Sequence, residues 1–268
     1  MNMRPKKSLG QNFLVNPHII DKIVDAAEIS KDDIILEVGP GTGLLTKKLA
    51  EKAGKVIAVE KDNRLIEPLK ETFKNYPNIE IIGGDALNLE FRILNLEFSN
   101  YKVVGNIPYY ITSHLLKTIF EKWPQPKLIV LTIQKEVAQR IMAKPPHMNL
   151  LALSVQYYSE PEIIGYISKN NFRPIPKVDS AIIRLTPRTF EVEPQRLPEV
   201  RPRKNQELFN LIRIGFSEKR KQLAPILSKK LDIDKDTVLE AFKKTELKKT
   251  ARAEELSLNQ WQELEKIL

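Results

Sequence analysis

Largely apolar runs of four to six residues alternate along the first half of the chain with segments whose apolar positions recur every three or four residues. The runs are Ile34–Val38, Val56–Val59, Ile79–Ile82, Tyr101–Gly105 and Lys127–Thr132. Their length and composition predict strands buried on both faces. Between them Leu44–Ala53, Arg64–Tyr76, Thr112–Trp123 and Gln134–Ala143 read as helices, with Pro68 in the early turns of the second. A helix precedes the first of these strands, opened by Asn16-Pro17 and continued by Ile19, Ile20, Ile23, Val24 and Ala27. Strands separated by helices predict βαβ units, an α/β fold and a parallel sheet whose strand ends share one edge.

Further on, Leu150–Tyr158 and Ile163–Ile167 are apolar and Ala181–Leu185 reads as the last strand. Pro187, Pro194, Pro198 and Pro202 mark a break, after which Gln206–Phe216, Arg220–Leu231, Asp236–Phe242 and Leu258–Leu268 have helical spacing only. The pattern therefore divides the chain into an α/β domain over 1–187, a Pro-rich linker over 188–202 and a small all-α domain over 203–268.

The chemistry gathers where strands end. Ile34–Val38 runs into Gly39-Pro40-Gly41-Thr42-Gly43, a turn that brings backbone close to a ligand ahead of a helix N-terminus. A tight turn with no ligand is the plainer reading. Glu60 ends the next strand, where an acid can accept from both hydroxyls of a ribose or merely face solvent. Asp85 ends the third, placed to accept from an adenine amino group or to close an Asx-turn. Asn106-Ile107-Pro108-Tyr109-Tyr110 follows the fourth and is the most specific cluster. It sets a carboxamide, backbone carbonyls and an aromatic ring around one point, suited to holding the exocyclic amine of a base, or it is a turn with buried tyrosines. Phe172, ahead of Pro174 and Pro176, is either a ring held outward as the other face of a base sandwich or a core anchor.

Net charge changes the picture by naming a class of partner. The 268 residues carry +9, with Arg4, Lys6 and Lys7 near the start. Eight basic and two acidic residues fall between Arg203 and Lys230, with Lys219-Arg220-Lys221 the sharpest group. Such clusters suit a phosphate backbone, or a solvated helix face. The chain has no cysteine and only His18, His114 and His147, which are scattered, so disulfides, a thiol nucleophile and a metal cluster are not expected. No apolar run nears the ~18 residues of a membrane helix. A cytoplasmic protein is expected.

Gln11-Asn12-Phe13-Leu14, Glu37–Gly43, Asn106–Tyr110 and Phe172–Ser180, in that order and spacing, resemble the ribosomal RNA adenine N6,N6-dimethyltransferases. Phe216–Leu223 and Arg252–Leu256 are similar to that family's C-terminal signatures, and the small-subunit (16S-type) enzymes match better than the erythromycin-resistance type acting on large-subunit RNA. A departure is Asn149-Leu150-Leu151, where the family often has Tyr-Gly. The resemblance implies a Rossmann-like seven-stranded methyltransferase sheet with its last strand antiparallel, and S-adenosylmethionine as methyl donor. By motif, Asn12 and Leu14 would close over the cofactor, Gly39 and Gly41 approach its methionine portion, Glu60 hold its ribose, and Asp85 and Ala86 contact its adenine. Asn106, which also borders the cofactor, and Pro108 would hold the target N6, with Tyr109 and Phe172 around the base. The implied partner is small-subunit ribosomal RNA, within the subunit or its precursor and without a membrane, and a monomer is expected. A third expectation is an assembly factor whose main role is binding.

Overall fold

Asn16 starts the first helix as the sequence predicts: its side chain accepts from the His18 N–H, Pro17 fills the first turn, and Ile20, Ile23 and Val24 form the buried stripe. The computed structural model describes residues 5–6, 9–89, 101–188, 204–218 and 220–268. In chain order these form β1 (Phe13–Leu14), α1 (Pro17–Ala26), β2 (Ile34–Val38), α2 (Leu44–Lys52), β3 (Lys55–Glu60), α3 (Asn63–Phe73) and β4 (Ile79–Gly83). Then come β5 (Tyr101–Asn106), α4 (Thr112–Glu121), β6 (Leu128–Gln134), α5 (Lys135–Ile141), α6 (Leu150–Tyr158), β7 (Ser159–Ile167), β8 (Phe172–Arg173) and β9 (Ser180–Pro187). The helices α7 (Lys204–Gly215), α8 (Leu223–Leu231), α9 (Lys235–Lys244) and α10 (Leu258–Ile267) follow.

Seven strands make one sheet in the order β4-β3-β2-β5-β6-β9-β7, parallel from β4 to β6, with β9 antiparallel to both its neighbours. This is the expected Rossmann-like sheet with its last strand reversed. The order turns back between β2 and β5, and such a switch point opens a crevice at the carboxyl ends of the strands. One face of the sheet buries Ile35, Val104, Val130 and Ile182 against Ile23 and Val24 of α1 and Leu45 and Leu49 of α2. Among the described residues no helix is long and apolar enough to cross a membrane.

The division into units departs from the expected 1–187 block. The first unit runs to Ala138 and resumes at Ser159, while Gln139–Tyr158 groups with the C-terminal helices. The reason lies in α6, Leu-Leu-Ala-Leu-Ser-Val-Gln-Tyr-Tyr, which is apolar nearly all round and must be covered on several sides. It packs on α7 and α10, with the Tyr157 and Tyr158 rings 5.2 and 5.8 Å from Phe209. The atypical Asn149 caps α6 locally: its Oδ1 accepts from the Ala152 N–H and its Nδ2 donates to the Arg140 carbonyl. The expected linker lies outside the described residues except for Arg188.

Candidate active site

The turn after β2 is built on left-handed backbone, with φ of 73° at Gly39, 58° at Gly41 and 82° at Gly43. At Gly41 a Cβ would also sit 2.9 Å from the Phe13 ring. Only glycine meets both demands. The turn forms one wall of an open cavity bordered by Asn12, Leu14, Glu37, Gly39, Gly41, Glu60, Asp85, Ala86, Asn106, Pro108 and Tyr109. The predicted cofactor residues and three of the four predicted catalytic residues thus meet in one crevice at the switch point.

Three carboxylates line it in different states. Glu60 accepts from the Gly41 N–H (3.1 Å) and the Asp62 N–H (2.8 Å), yet burial outweighs these bonds and raises its pKa. Asp85 resists a smaller burial penalty: the Lys61 ammonium at 2.7 Å and the Leu87 N–H at 3.1 Å lower its pKa. Glu37 is 1% exposed, and neither of its oxygens has a hydrogen-bond partner among the described residues. Burial drives its pKa to about 8, opposed by the Thr46 hydroxyl and reinforced by Glu60. A buried acid without a partner is an unfilled electrostatic demand. Sequence reasoning passed over Glu37 as a site residue, although a lone acid within Ile-Ile-Leu-Glu-Val was the signal.

Asn106 ends β5 with its Nδ2 donating to the Asn12 carbonyl at 3.0 Å, so Oδ1 is the atom left to accept. The Tyr109 hydroxyl and Ser180 Oγ share a 2.7 Å hydrogen bond, and Tyr109 is half-buried. Tyr110, 59% exposed at the same rim and touching Gly10, is a second aromatic that sequence reasoning left unassigned.

Phe172 corrects the expected base sandwich. It is fully buried, does not border the cavity, and packs in the α1–α2 core with Leu14, Ile167 and Ile182. Pairing of Leu14 with Phe172 in the two-stranded β1–β8 ladder turns the ring inward, so the core-anchor reading holds. Of the basic groups, the Lys6 N–H donates to Gln11, Arg220 is exposed and Lys221 pairs with Glu218. Arg4, Lys7 and Lys219 lie outside the described residues. No cluster of three metal-ligating residues occurs among the described residues.

The sequence model of ribosomal RNA adenine dimethylase matches residues 2–268. The chain belongs to that family. The dimethylase-family chain is 39% identical over 263 residues to ribosomal RNA small subunit methyltransferase A of Dehalococcoides mccartyi, covering 98% of this chain and 88% of that protein. It is 40% identical over 262 residues to the protein of that name from Clostridium botulinum, covering 96% and 92%. Among solved structures it resembles a dimethyladenosine transferase from Plasmodium falciparum, with a TM-score of 0.77, 30% identity and 94% and 95% of the two chains covered. It also resembles the 23S rRNA methyltransferase ErmE, with a TM-score of 0.75, 28% identity and 96% and 99% covered. The fold is therefore shared with a 23S rRNA methyltransferase, and it is the sequence relatives that are named for the small subunit.

Proposed function

We infer that this dimethylase transfers methyl groups to N6 of two adjacent adenosines in the 3′-terminal hairpin of small-subunit ribosomal RNA, giving N6,N6-dimethyladenosine. The observation that carries the reading is the orientation of Asn106. With its amide committed to Asn12, its carbonyl oxygen is reserved for an N–H donor, beside a glycine turn suited to a nucleoside. S-adenosylmethionine, the proposed cofactor, supplies an electrophilic methyl group when bound. The residues fit it: its cationic groups answer the buried, unpartnered Glu37 carboxylate. Gly39 and Gly41 admit its methionine portion, Glu60 accepts from the ribose hydroxyls, and Asp85 with Ala86 takes the adenine under the cover of Asn12 and Leu14.

The lone pair of an adenine amine is delocalised into the ring. Oδ1 of Asn106 and the Pro108 carbonyl accept its two N–H bonds, which fixes its direction and favours a pyramidal nitrogen. Tyr109 and Tyr110 provide ring surface for the captured base, at about 1–3 kcal/mol per stacked base. The proton leaves after transfer, so Asn106 positions the amine and removes nothing. Lys6, Arg220 and Lys221, with Arg4, Lys7 and Lys219, are the proposed phosphate contacts, and the helical unit the RNA-binding one. The partner is the small subunit or its precursor in the cytoplasm, engaged by a monomer. Asn106→Ala is expected to keep cofactor affinity within a few-fold and to lose about 100-fold in methyl transfer. Wild-type turnover by that variant on purified small subunits would remove the assignment, and parallel assays on large subunits decide the target.

A further inference from the structure

Beyond Tyr109 the same strand edge carries an aromatic group that the transfer itself does not use. Tyr166, at the end of β7, is 53% exposed, and Lys135 Nζ lies 5.0 Å from the centre of its ring. Its neighbour Ile167 is buried in the core, so the strand is anchored while the tyrosine ring stays at the surface. Asp179 stiffens this rim. Its carbonyl accepts from the Lys135 N–H and its carboxylate from the Lys169 N–H, both at 3.0 Å. The next residue, Ser180, holds the Tyr109 hydroxyl and pairs in register with Ile167, so the base site and the Tyr166 rim share one rigid seam.

Asn106 and Tyr166 stand on strands three positions apart, about 14 Å at the usual strand spacing. Stacked nucleotides advance ~3.4 Å each, so the two points fall within roughly four nucleotides on one strand. Lys169 and Lys177 are exposed on the loops that flank the rim, with Glu136 the exposed acid next to Lys135. An exposed ring with a cation on it and further lysines beside it has the composition of a single-stranded nucleic-acid platform.

We propose that Tyr166 and Lys135 form a second RNA station, where Tyr166 stacks on an unpaired base flanking the target adenosine and Lys135 and Lys169 meet the adjoining phosphates. This rests on the reading that the substrate is a ribosomal RNA adenosine. Every base has a ring face, so the station captures an unpaired strand without reading its sequence. Its contribution falls on substrate affinity and not on the chemical step, because none of its atoms reaches the Asn106 site.

The test uses the full chain, purified small subunits and labelled S-adenosylmethionine. Tyr166→Ala is expected to raise KM for the subunit fivefold or more, with kcat and cofactor affinity unchanged. Tyr166→Phe and Tyr166→Trp keep the wild-type KM, whereas Tyr166→Leu, apolar but without a ring, behaves as alanine. Lys135→Ala weakens binding and lowers the slope of log affinity against log salt by about one. A Tyr166→Ala enzyme with wild-type KM, or a leucine variant equal to phenylalanine, overturns the station while leaving the function intact. A wild-type chain that methylates no ribosomal adenosine overturns the function and the station with it.

Discussion

Glu37 holds the sharpest electrostatic conflict in the cavity, because its strand buries it and the Thr46 hydroxyl offsets only part of the cost of charging it. Its pKa rises from an ordinary 4.5 to about 8. Between those values the folded chain keeps a proton that the unfolded chain releases, so stability falls as pH rises through the window and levels off above it. Glu37→Gln should flatten that slope, with a gain of about 3 kcal/mol in urea unfolding at pH 8 relative to pH 5. A cationic cofactor beside this acid favours its charged form, so binding near neutral pH should expel a proton. Calorimetry in two buffers of different ionisation enthalpy reads that proton, and identical heats for the wild type would remove Glu37 from the cofactor contact. Glu37 was legible in the sequence as the lone acid in a buried strand. The direction of Phe172 was not, since two stiffening prolines suit an outward or an inward ring equally. What turns it inward is the pairing of Leu14 with Phe172, in a ladder too short to leave a pattern.

At the scale of elements, residues 9–16 cross the cavity as a strap. The Gln11 amide donates to Asp62 at 2.9 Å, the Asn12 carbonyl accepts from Asn106, and β1 pairs with β8. The Val15 N–H donates to the Asn171 carbonyl, and Asn16 Nδ2 to Asn171 Oδ1 at 2.7 Å. Asp62 is a firm anchor, because Arg64 and Gln11 hold its carboxyl far below the ordinary range. The Phe13 ring rests on Gly41, which couples the strap to the turn beneath it. Gly41→Ala adds a Cβ at 2.9 Å from that ring on backbone of positive φ. Cofactor affinity should drop about tenfold, the equivalent of the 1–2 kcal/mol of left-handed strain. Phe13→Ala in that background relieves the clash alone and should restore part of the loss. Unchanged affinity in Gly41→Ala would show that the strap and turn bind independently. The strands β2, β3, β5 and β6 were readable because burial on both faces demands continuous apolar runs. β4, an edge strand with no fully buried residue, was readable from Ile79, Ile81 and Ile82. β7 was readable only as an apolar segment, since Glu160, Pro161 and Glu162 break its pattern. That break is what an edge strand tolerates, and β7 ends the sheet.

Across the α/β unit, the two ends of the sheet serve different purposes. The carboxyl edge carries the cavity with its buried acids, while the opposite edge is tied by Lys102 at the start of β5. Its ammonium meets Asp33 at 3.0 Å and donates to the Ala27 and Glu28 carbonyls, which joins the end of α1 to the entry of β2. Both side chains are almost wholly buried. Removing one partner of such a pair costs far more than the pair contributes, because the remaining charge stays in a poorly solvating place. Asp33→Ala should therefore cost about 3 kcal/mol. Lys102→Met should cost less, since the Ser30 N–H and hydroxyl still satisfy the Asp33 carboxylate. These bonds and Lys102 overcome burial and lower the Asp33 pKa. The stabilisation is present above the ordinary aspartate value of 3.8 and is lost as pH falls through the lower folded value. Because the pair lies at the far end of the strands from the Asn106 site, cofactor affinity and turnover per folded molecule should stay at wild-type levels in both variants. Urea midpoints measured beside cofactor titrations separate the two quantities. An Asp33→Ala protein of unchanged stability would deny the tie, and one with full stability loss and impaired binding would deny that the two edges act independently.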